Sequence, residues 1–377
     1  MTQALPVKPA VFTHVNLSGS AFQVGQMQAE ALKNIPGWLE FLRSSKDTLP
    51  PLAFKQALAE FERWSPATLE EMRGFAEGVE VPLEQLFYFA NTYLFQGHCS
   101  HFVVSPSVTA DGHMLVGRSY EFGDDMDDKR LVTTQIDGLY RHIGSSSLLF
   151  GRHDGMNEYG LTVTTSSGGI PVGRIEGLQP PIQDGFLHWA LVRALLEQCK
   201  NVEEAIALSA EMPQCGNVVL LVADRQGQAV LLEFYGPKRA MKRLVPETLG
   251  GFLCATNHYQ LPELAAGQTY RMGNSVKRLE TIQSYLSNKT PGFTFQDAKS
   301  LLCTPYPQGL NCHYYSEFFG TTHSMVFDVT SGTVEVCLGT PATGQWLAYN
   351  LTQPAGFQMF QVDLPQEKAP ADFWAPV

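Results

Sequence analysis

The sequence predicts an α+β protein in which a stacked pair of sheets is sandwiched between helices. Three observations lead there. The first hundred residues show helical period, the stretch beyond them turns to short apolar and β-branched runs split by turn signals, and these runs come in groups with helices in pairs between them. A doubly wound parallel sheet would need strands and helices to alternate one for one, which this order does not do. With 377 residues, 44% hydrophobic and 17% charged, the chain is long enough for a sizeable core and too apolar to be mainly disordered.

Each element has a local reason. Phe22, Met27, Ala29 and Leu32 suggest a first helix, and residues 54–64 another. Ser65 reads as an N-cap before Pro66 at the first helical position, with Leu69, Met72, Phe75 and Ala76 on one face and Gly78 where the helix stops. Pro82 opens a further helix with Leu83, Leu86 and Phe87 as its stripe. Almost no strand signal precedes residue 95. Residues 102–104 and 114–116 then read as strands around the turn signal Asp111-Gly112, 131–136 as a strand closed by Asp137-Gly138, and 160–165 as a fourth. Helices follow at 186–198 and 201–212, the second with Asn201 as cap and Glu203 and Glu204 in its first turn. Residues 218–222 and 229–234 make a hairpin, 252–255 a strand, 275–286 and 294–302 two helices, and 324–329 with 333–338 a closing hairpin around Ser331-Gly332. From Pro354 the proline-rich end reads as a tail laid over the surface. There is no internal repeat, low-complexity tract or heptad pattern.

Charge and cysteine usage narrow the function classes. Twenty-six Lys and Arg against 37 Asp and Glu leave a net charge of −11, without a basic stripe, so a nucleic-acid partner is not expected. No run of 18 apolar residues occurs and Met1 to Ala10 lack the features of an export signal, so a soluble, cytoplasmic protein without a membrane partner is expected. The seven cysteines are odd in number, scattered and without a C-x-x-C pair, which reads as free thiols in a reducing compartment. Asp124, Asp125, Asp127 and Asp128 form an acidic knot. It reads as a solvated loop, or, should it rim a pocket, as a preference for cationic leaving groups.

The junction between the helical part and the first strand reads Gly97-His98-Cys99-Ser100-His101-Phe102. A helix-to-strand connection with a partly exposed cysteine is the simplest account. His98, Cys99 and His101 are neighbours rather than a metal-ligand spacing, so neither a metal nor a cofactor is expected. A Cys–His pair of the papain type has ten histidines to choose from and no local signal to select one.

Cys99, followed by a hairpin whose second strand carries Gly117-Arg118-Ser119-Tyr120-Glu121-Phe122, resembles the opening of the cysteine N-terminal-nucleophile (Ntn) hydrolases. These include choloylglycine hydrolases and penicillin V acylases, and the resemblance is closer to the isopenicillin N acyltransferase-like family, made as precursors with a helical segment ahead of the cysteine. Further matches follow in order. Gly19-Ser20-Ala21-Phe22-Gln23-Val24-Gly25 is similar to the precursor start, and Glu70-Glu71-Met72-Arg73-Gly74-Phe75-Ala76-Glu77-Gly78 to the helix before the cysteine. Gly155-Met156-Asn157-Glu158-Tyr159-Gly160-Leu161 is similar to the family's Asn-Glu-x-Gly-Leu strand entry. Thr256-Asn257 and Ser275-Val276-Lys277-Arg278 resemble its oxyanion Asn and later Arg. Thr321-Thr322-His323-Ser324 and Gly339-Thr340-Pro341 stand where its closing strands do.

The resemblance implies a four-layer αββα sandwich, with residues 1–98 as a helical precursor segment and 99–377 as the core, folding as one body. It implies an amide hydrolase or acyltransferase for a small acyl amide, with autoproteolysis at His98-Cys99 freeing Cys99 as the nucleophile. Asn257 would donate to the oxyanion, Arg118 lower the thiol pKa, Glu121 orient the α-ammonium and Arg278 complete the charge network. Ser166 and Ser167 stand where the choloylglycine branch has a second Asn, and are expected to help the oxyanion or bind substrate. His98 replaces the usual Gly, and Glu121 the usual Asp. The partners expected are the substrate and the chain's own two fragments, and a homo-oligomer is compatible with the sequence. A catalytically silent or unprocessed small-molecule-binding protein on the same fold is the alternative.

Overall fold

The protein is described by a computed structural model that covers residues 5–33, 38–92, 98–169, 183–245, 250–268, 270–352 and 356–377. The N-terminal part holds β1 (Val7–Gly19), α1 (Ala21–Leu32), α2 (Trp38–Ser44), α3 (Pro51–Trp64), α4 (Pro66–Val79) and α5 (Leu83–Thr92). Then come β2 (His98–Val104), β3 (Leu115–Phe122), β4 (Arg130–Ile136), β5 (His142–Ser147), β6 (Gly151–Arg152), β7 (Asp154–Asn157), β8 (Thr162–Ser167), α6 (His188–Gln198) and α7 (Val202–Glu211). The last part contains β9 (Asn217–Ala223), β10 (Ala229–Tyr235), β11 (Lys238–Arg243), β12 (Phe252–Ala255), α8 (Pro262–Ala265), α9 (Gly273–Lys289) and α10 (Phe295–Cys303). It closes with β13 (His313–Tyr314), β14 (Phe319–Asp328), β15 (Thr333–Leu338), β16 (Trp346–Asn350) and β17 (Gln358–Pro365).

The strands make two sheets. The larger runs β11-β10-β9-β8-β7-β5-β4-β1-β17 with β6 on β5, and the smaller runs β12-β2-β3-β14-β15-β16 with β13 on β14. Three apolar layers show how they stack. Phe12, Val103, Val116, Leu131, Leu221 and Met325 meet between the sheets. Met72, Phe75, Trp189 and Leu195 from the helices cover Val163, Leu220 and Val222 on the outside of the larger sheet, and Ile282, Leu286 and Leu301 of α9 and α10 cover Phe102, Val104 and Leu115 outside the smaller one. The architecture is therefore αββα. β9 alternates between two of these layers, Leu220 outward and Leu221 inward, so both its faces are buried and its sequence is apolar throughout.

Two expectations fail in instructive ways. The N-terminal part is not purely helical, since β1 lies inside the larger sheet, parallel to β4 and antiparallel to β17. Its apolar residues change phase: Ala10 and Phe12 join the inter-sheet layer, whereas Val15 and Leu17 pack with Val24 of α1. The period-2 signal is thus broken midway. The C-terminal stretch is not a surface tail either, because Gln358–Pro365 pairs with β1 along eight register positions. Pro354 itself lies outside the described residues. Ser65 precedes α4 as expected but does not cap its backbone; its hydroxyl bonds Thr68 Oγ1 at 2.8 Å.

The two N-terminal segments that resemble precursor motifs are a helix crossing. A Cβ on Gly25 would lie 2.0 Å from the Glu71 carbonyl oxygen, and one on Gly74 2.0 Å from that of Phe22. Only glycine lets α1 and α4 approach this closely. Among the described residues no helix is long and apolar enough to cross a membrane, and all seven cysteines are free thiols.

Candidate active site

Strand alternation sorts the residues around Cys99. β2 and β3 pair antiparallel, with Cys99 opposite Tyr120, His101 opposite Arg118 and Ser100 opposite Ser119. Cys99, His101, Arg118 and Tyr120 therefore face the other sheet, while Ser100, Ser119 and Glu121 face α9. β12 pairs with β2 so that Ala255 stands opposite His101, which runs Thr256 and Asn257 alongside Ser100 and Cys99.

The backbone of Cys99 is held at both of its polar groups. Its N–H donates to Asn257 Oδ1 at 3.0 Å, and its carbonyl oxygen accepts from Arg278 Nη1 at 2.6 Å. Arg278 also donates to Ser100 Oγ at 2.8 Å, Asn257 Oδ1 at 2.8 Å and Asn274 Oδ1 at 2.9 Å. Asn274 and Arg278 are four apart on α9 and so share a face. The Asn257 amide nitrogen donates to Ser167 Oγ at 2.9 Å, and its backbone N–H to Ser275 Oγ at 2.8 Å.

Arg118 is fully buried beneath the thiol. Its Nε donates to Asp154 Oδ2 at 3.1 Å and its Nη1 to the Ser119 carbonyl at 2.8 Å. Asp154 also accepts from Ser145 and bonds His323 Nε2 at 3.1 Å. Burial pushes up the Asp154 carboxyl, but His323, Arg118 and Ser145 together hold it well below the usual carboxylate range. Burial likewise pushes the Cys99 thiol up to about 11, against the opposing pull of Arg118 charge and hydrogen bonding. Cys254 and Cys337, buried without a neighbouring arginine, reach about 12.

Glu121 stands opposite His98. Its carboxylate accepts from Ser119 Oγ and, at 3.4 Å, from Thr321 Oγ1, and burial raises its pKa. The contact with the Cys99 nitrogen that resemblance assigns to Glu121 is made in the unbroken chain by Asn257. The alternation of β3 is the reason, because Glu121 projects toward α9. Ser166 Oγ donates to the Thr256 carbonyl at 2.5 Å and Ser167 meets Asn257. Both line a small pocket with Cys99, Tyr120, His153, Thr165 and His188. His98 stacks on Phe319 with ring centroids 4.5 Å apart, and burial with the nearby Arg278 pushes its pKa down to about 3. Gly97 lies outside the described residues. His101 is occupied by Thr164 Oγ1 at 2.8 Å and Ser166 Oγ at 3.2 Å, and no group of three or more His, Cys, Asp or Glu among the described residues is set to hold a metal ion.

The acidic knot is mostly not solvated, Asp125 alone among its four carboxylates being exposed. Asp124 and Asp125 pair with Lys8, Asp128 pairs with Arg130 and accepts from Ser146 and the Leu149 N–H, and Asp127 is buried. None of the four lines the Cys99 pocket. Sequence reasoning also passed over Asp154, Asn274, Ser275, His153 and His188 as site residues. The four-residue spacing of Asn274 and Arg278 was a usable signal; the others come together only through strand pairing, sheet stacking and the packing of α6 and α9 on the sheets.

The model of the family described as acyl-coenzyme A:6-aminopenicillanic acid acyl-transferase matches residues 108–343. An uncharacterized protein of Archaeoglobus fulgidus is 22% identical over 309 residues, or 74% of this chain and 50% of that protein. The chain thus spans about half the length of the curated relative it matches. Among solved structures, penicillin V acylase from Agrobacterium tumefaciens has a TM-score of 0.44 at 15% identity, over 71% of this chain and 92% of that one. The N-acylethanolamine-hydrolyzing acid amidase ortholog of Caenorhabditis elegans gives 0.42 at 14%, over 62% and 93%. A variant of conjugated bile acid hydrolase from Clostridium perfringens gives 0.41 at 13%, over 72% and 100%.

Proposed function

Because this chain belongs to the acyl-coenzyme A:6-aminopenicillanic acid acyl-transferase family, we propose that it hydrolyses or exchanges amide C–N bonds through an acyl-thioester on Cys99, freed as an N-terminal residue by cleavage of its own His98-Cys99 bond. Residues 1–98 and 99–377 are then the two fragments of one body. The matched region begins beyond Cys99, so the choice of nucleophile rests on the site itself. The observation that carries it is the grip of Asn257 on the Cys99 nitrogen at 3.0 Å.

In processing, the Cys99 sulfur attacks the His98 carbonyl carbon, the C–N bond breaks as the nitrogen takes up the thiol proton, and water hydrolyses the resulting thioester to a His98 carboxylate and a free thiol. The new α-amine has a reference pKa of about 7.7–8 and is a base next to a thiol that burial disfavours ionising. Asn257 Oδ1, which already accepts from this nitrogen, orients the amine. Its Nδ2, which gives one hydrogen to Ser167 of the pocket lining, would give the other to an oxyanion. In turnover, the thiol proton passes to the amine, sulfur attacks the substrate carbonyl, the leaving amine takes the proton back, and water or a second amine removes the acyl group. Arg118 supplies the positive charge that favours the thiolate.

Intact-mass analysis should show two fragments breaking before Cys99, with Cys99→Ala remaining one chain. A wild-type protein that stays full length yet turns over amides overturns the free-amine mechanism. Alkylation of Cys99 by iodoacetamide no faster than that of an ordinary thiol would favour a silent binding protein.

A further inference from the structure

Resting on the reading of Cys99 as nucleophile, we propose that the pocket beside it selects a short acyl group bearing a hydrogen-bonding oxygen or nitrogen, read by the row of rings Tyr120, His153 and His188. The thioester chemistry does not use this row. Yet it lines the same pocket as the thiol and as Ser167, which touches the proposed oxyanion donor.

Among the described residues the lining contains no aliphatic side chain: beside Cys99 it consists of Tyr120, His153, Thr165, Ser166, Ser167 and His188. The Tyr120 hydroxyl bonds His153 Nε2 at 3.1 Å, and His153 Nδ1 bonds His188 Nε2 at 3.3 Å. The ring centroids lie 4.5 Å apart for Tyr120 and His153, whose planes are tilted by 31°, and 5.3 Å apart for His153 and His188, whose planes are within 19° of parallel. Tyr120 also stacks on His323 at 4.9 Å, which helps hold the row in place.

Burial holds both imidazoles below their ordinary range, His188 down to about 4, and both are uncharged at neutral pH. A neutral imidazole has one N–H and one acceptor nitrogen. Two arrangements follow. With Tyr120 donating to His153, the proton of His153 goes to His188 and the spare donor is the other nitrogen of His188. With His188 donating, His153 donates to Tyr120 and the spare donor is the Tyr120 hydroxyl. Either way one donor is left over, and the row can move it from one end to the other. Thr165 and Ser166 already donate to the His153 and Thr256 carbonyls, and Ser166 also accepts from His101, which leaves the Thr165 hydroxyl oxygen as an acceptor.

An alkyl chain in this pocket would strip water from these groups and replace none of its hydrogen bonds, whereas an acyl group with its own polar atom would take up the spare donor. Sites built to bond a polar substrate atom reject the analogue that lacks it far more strongly than apolar pockets reject an extra methylene. The pocket is narrow, with room for little more than a water-sized group beside the thiol, hence a short acyl group.

The test uses the full-chain protein and p-nitroanilides of 2-hydroxybutyryl, 3-hydroxybutyryl, butyryl and valeryl groups. At least one hydroxyacyl substrate is expected to exceed the alkyl ones by about 100-fold in kcat/KM, with that ratio collapsing in Tyr120→Phe and His153→Phe. Equal or reversed preference, or a ratio unchanged in both variants, overturns the proposal. A second arm measures binding to Cys99→Ala by calorimetry with the corresponding unactivated amides. If no amide is turned over, the thioester reading fails. The pocket proposal is still decided by this arm: tighter binding of a hydroxyacyl amide, lost on adding Tyr120→Phe or His153→Phe, supports it, and equal binding overturns it.

Discussion

Arg278 donates to the carbonyl oxygen of Cys99 at 2.6 Å across a separation of 179 residues, so a helix laid on the outside of the smaller sheet sets the backbone position of the thiol. The same guanidinium meets the Asn257 oxygen that accepts from the Cys99 nitrogen. One planar group with several donors therefore fixes both the residue that carries the sulfur and the residue that accepts from its backbone nitrogen.

Arg278→Lys is expected to lose at least about 100-fold in turnover, because a point charge on a flexible stem cannot serve four acceptors in a plane. Asn257→Ala should lower kcat by about 10²–10³. As the two side chains share a contact, the double variant should fall short of the product of the single effects. Steady-state amide hydrolysis on all three proteins checks this.

The fragments produced by cleavage at His98-Cys99 should not part. β1 belongs to the N-terminal fragment but is bonded between β4 and β17 of the other, and removing it would expose two strand edges inside a sheet. Size-exclusion chromatography of processed protein should give one peak containing both fragments, resolving into two only in denaturant.

Glu71 of α4 meets Arg193 of α6 with both side chains about 1% exposed, and Arg193 also pairs with Glu197 at 2.8 Å. Glu71→Ala leaves a buried guanidinium short of a partner and should cost about 3–5 kcal/mol in urea unfolding. Glu203, whose pair with Arg243 is exposed on both sides, should be replaceable by Ala without a measurable shift of the midpoint.

Burial pushes Glu233 up to about 7, although it accepts from the backbone N–H groups of Gln260 and Leu261. Its folded pKa exceeds the unfolded value, so the folded state binds the proton more tightly. This contribution to stability is complete below pH ~4.5 and declines as pH rises through about 7. Thermal unfolding between pH 4.5 and 8 should show this decline in wild type and a flatter profile in Glu233→Gln.

Much of the fold was legible locally. The helices at 66–79, 202–211 and 295–303 carry caps, stripes or first-turn charges in their own sequence, and β9 and β10 announce themselves as continuous apolar runs. β5, β6 and β7 escaped because His142–Ser147 is a small, polar strand, Gly151–Arg152 is two residues long and Asp154–Asn157 has one apolar residue. Their burial comes from neighbours, not from their own hydrophobicity. The acidic knot misled for the converse reason: Lys8, which pairs with Asp124 and Asp125, comes from β1 more than a hundred residues earlier, whereas Arg130, two residues from Asp128, was in plain view.

By itself the sequence singled out the candidate residues: Cys99 at a helix-to-strand seam, Arg118 on the next strand, and Asn257 and Arg278 far downstream, in an order that resembles one family. Only the tertiary structure decided what each touches. Strand alternation turns Glu121 toward α9, strand pairing brings Asn257 to the Cys99 nitrogen, and the stacking of two sheets places Asp154 beneath Arg118 and a row of rings beside the thiol. These are contacts between residues tens to hundreds of positions apart. No periodicity in a single chain encodes them, because they arise from the faces that separate elements present to one another when they pack.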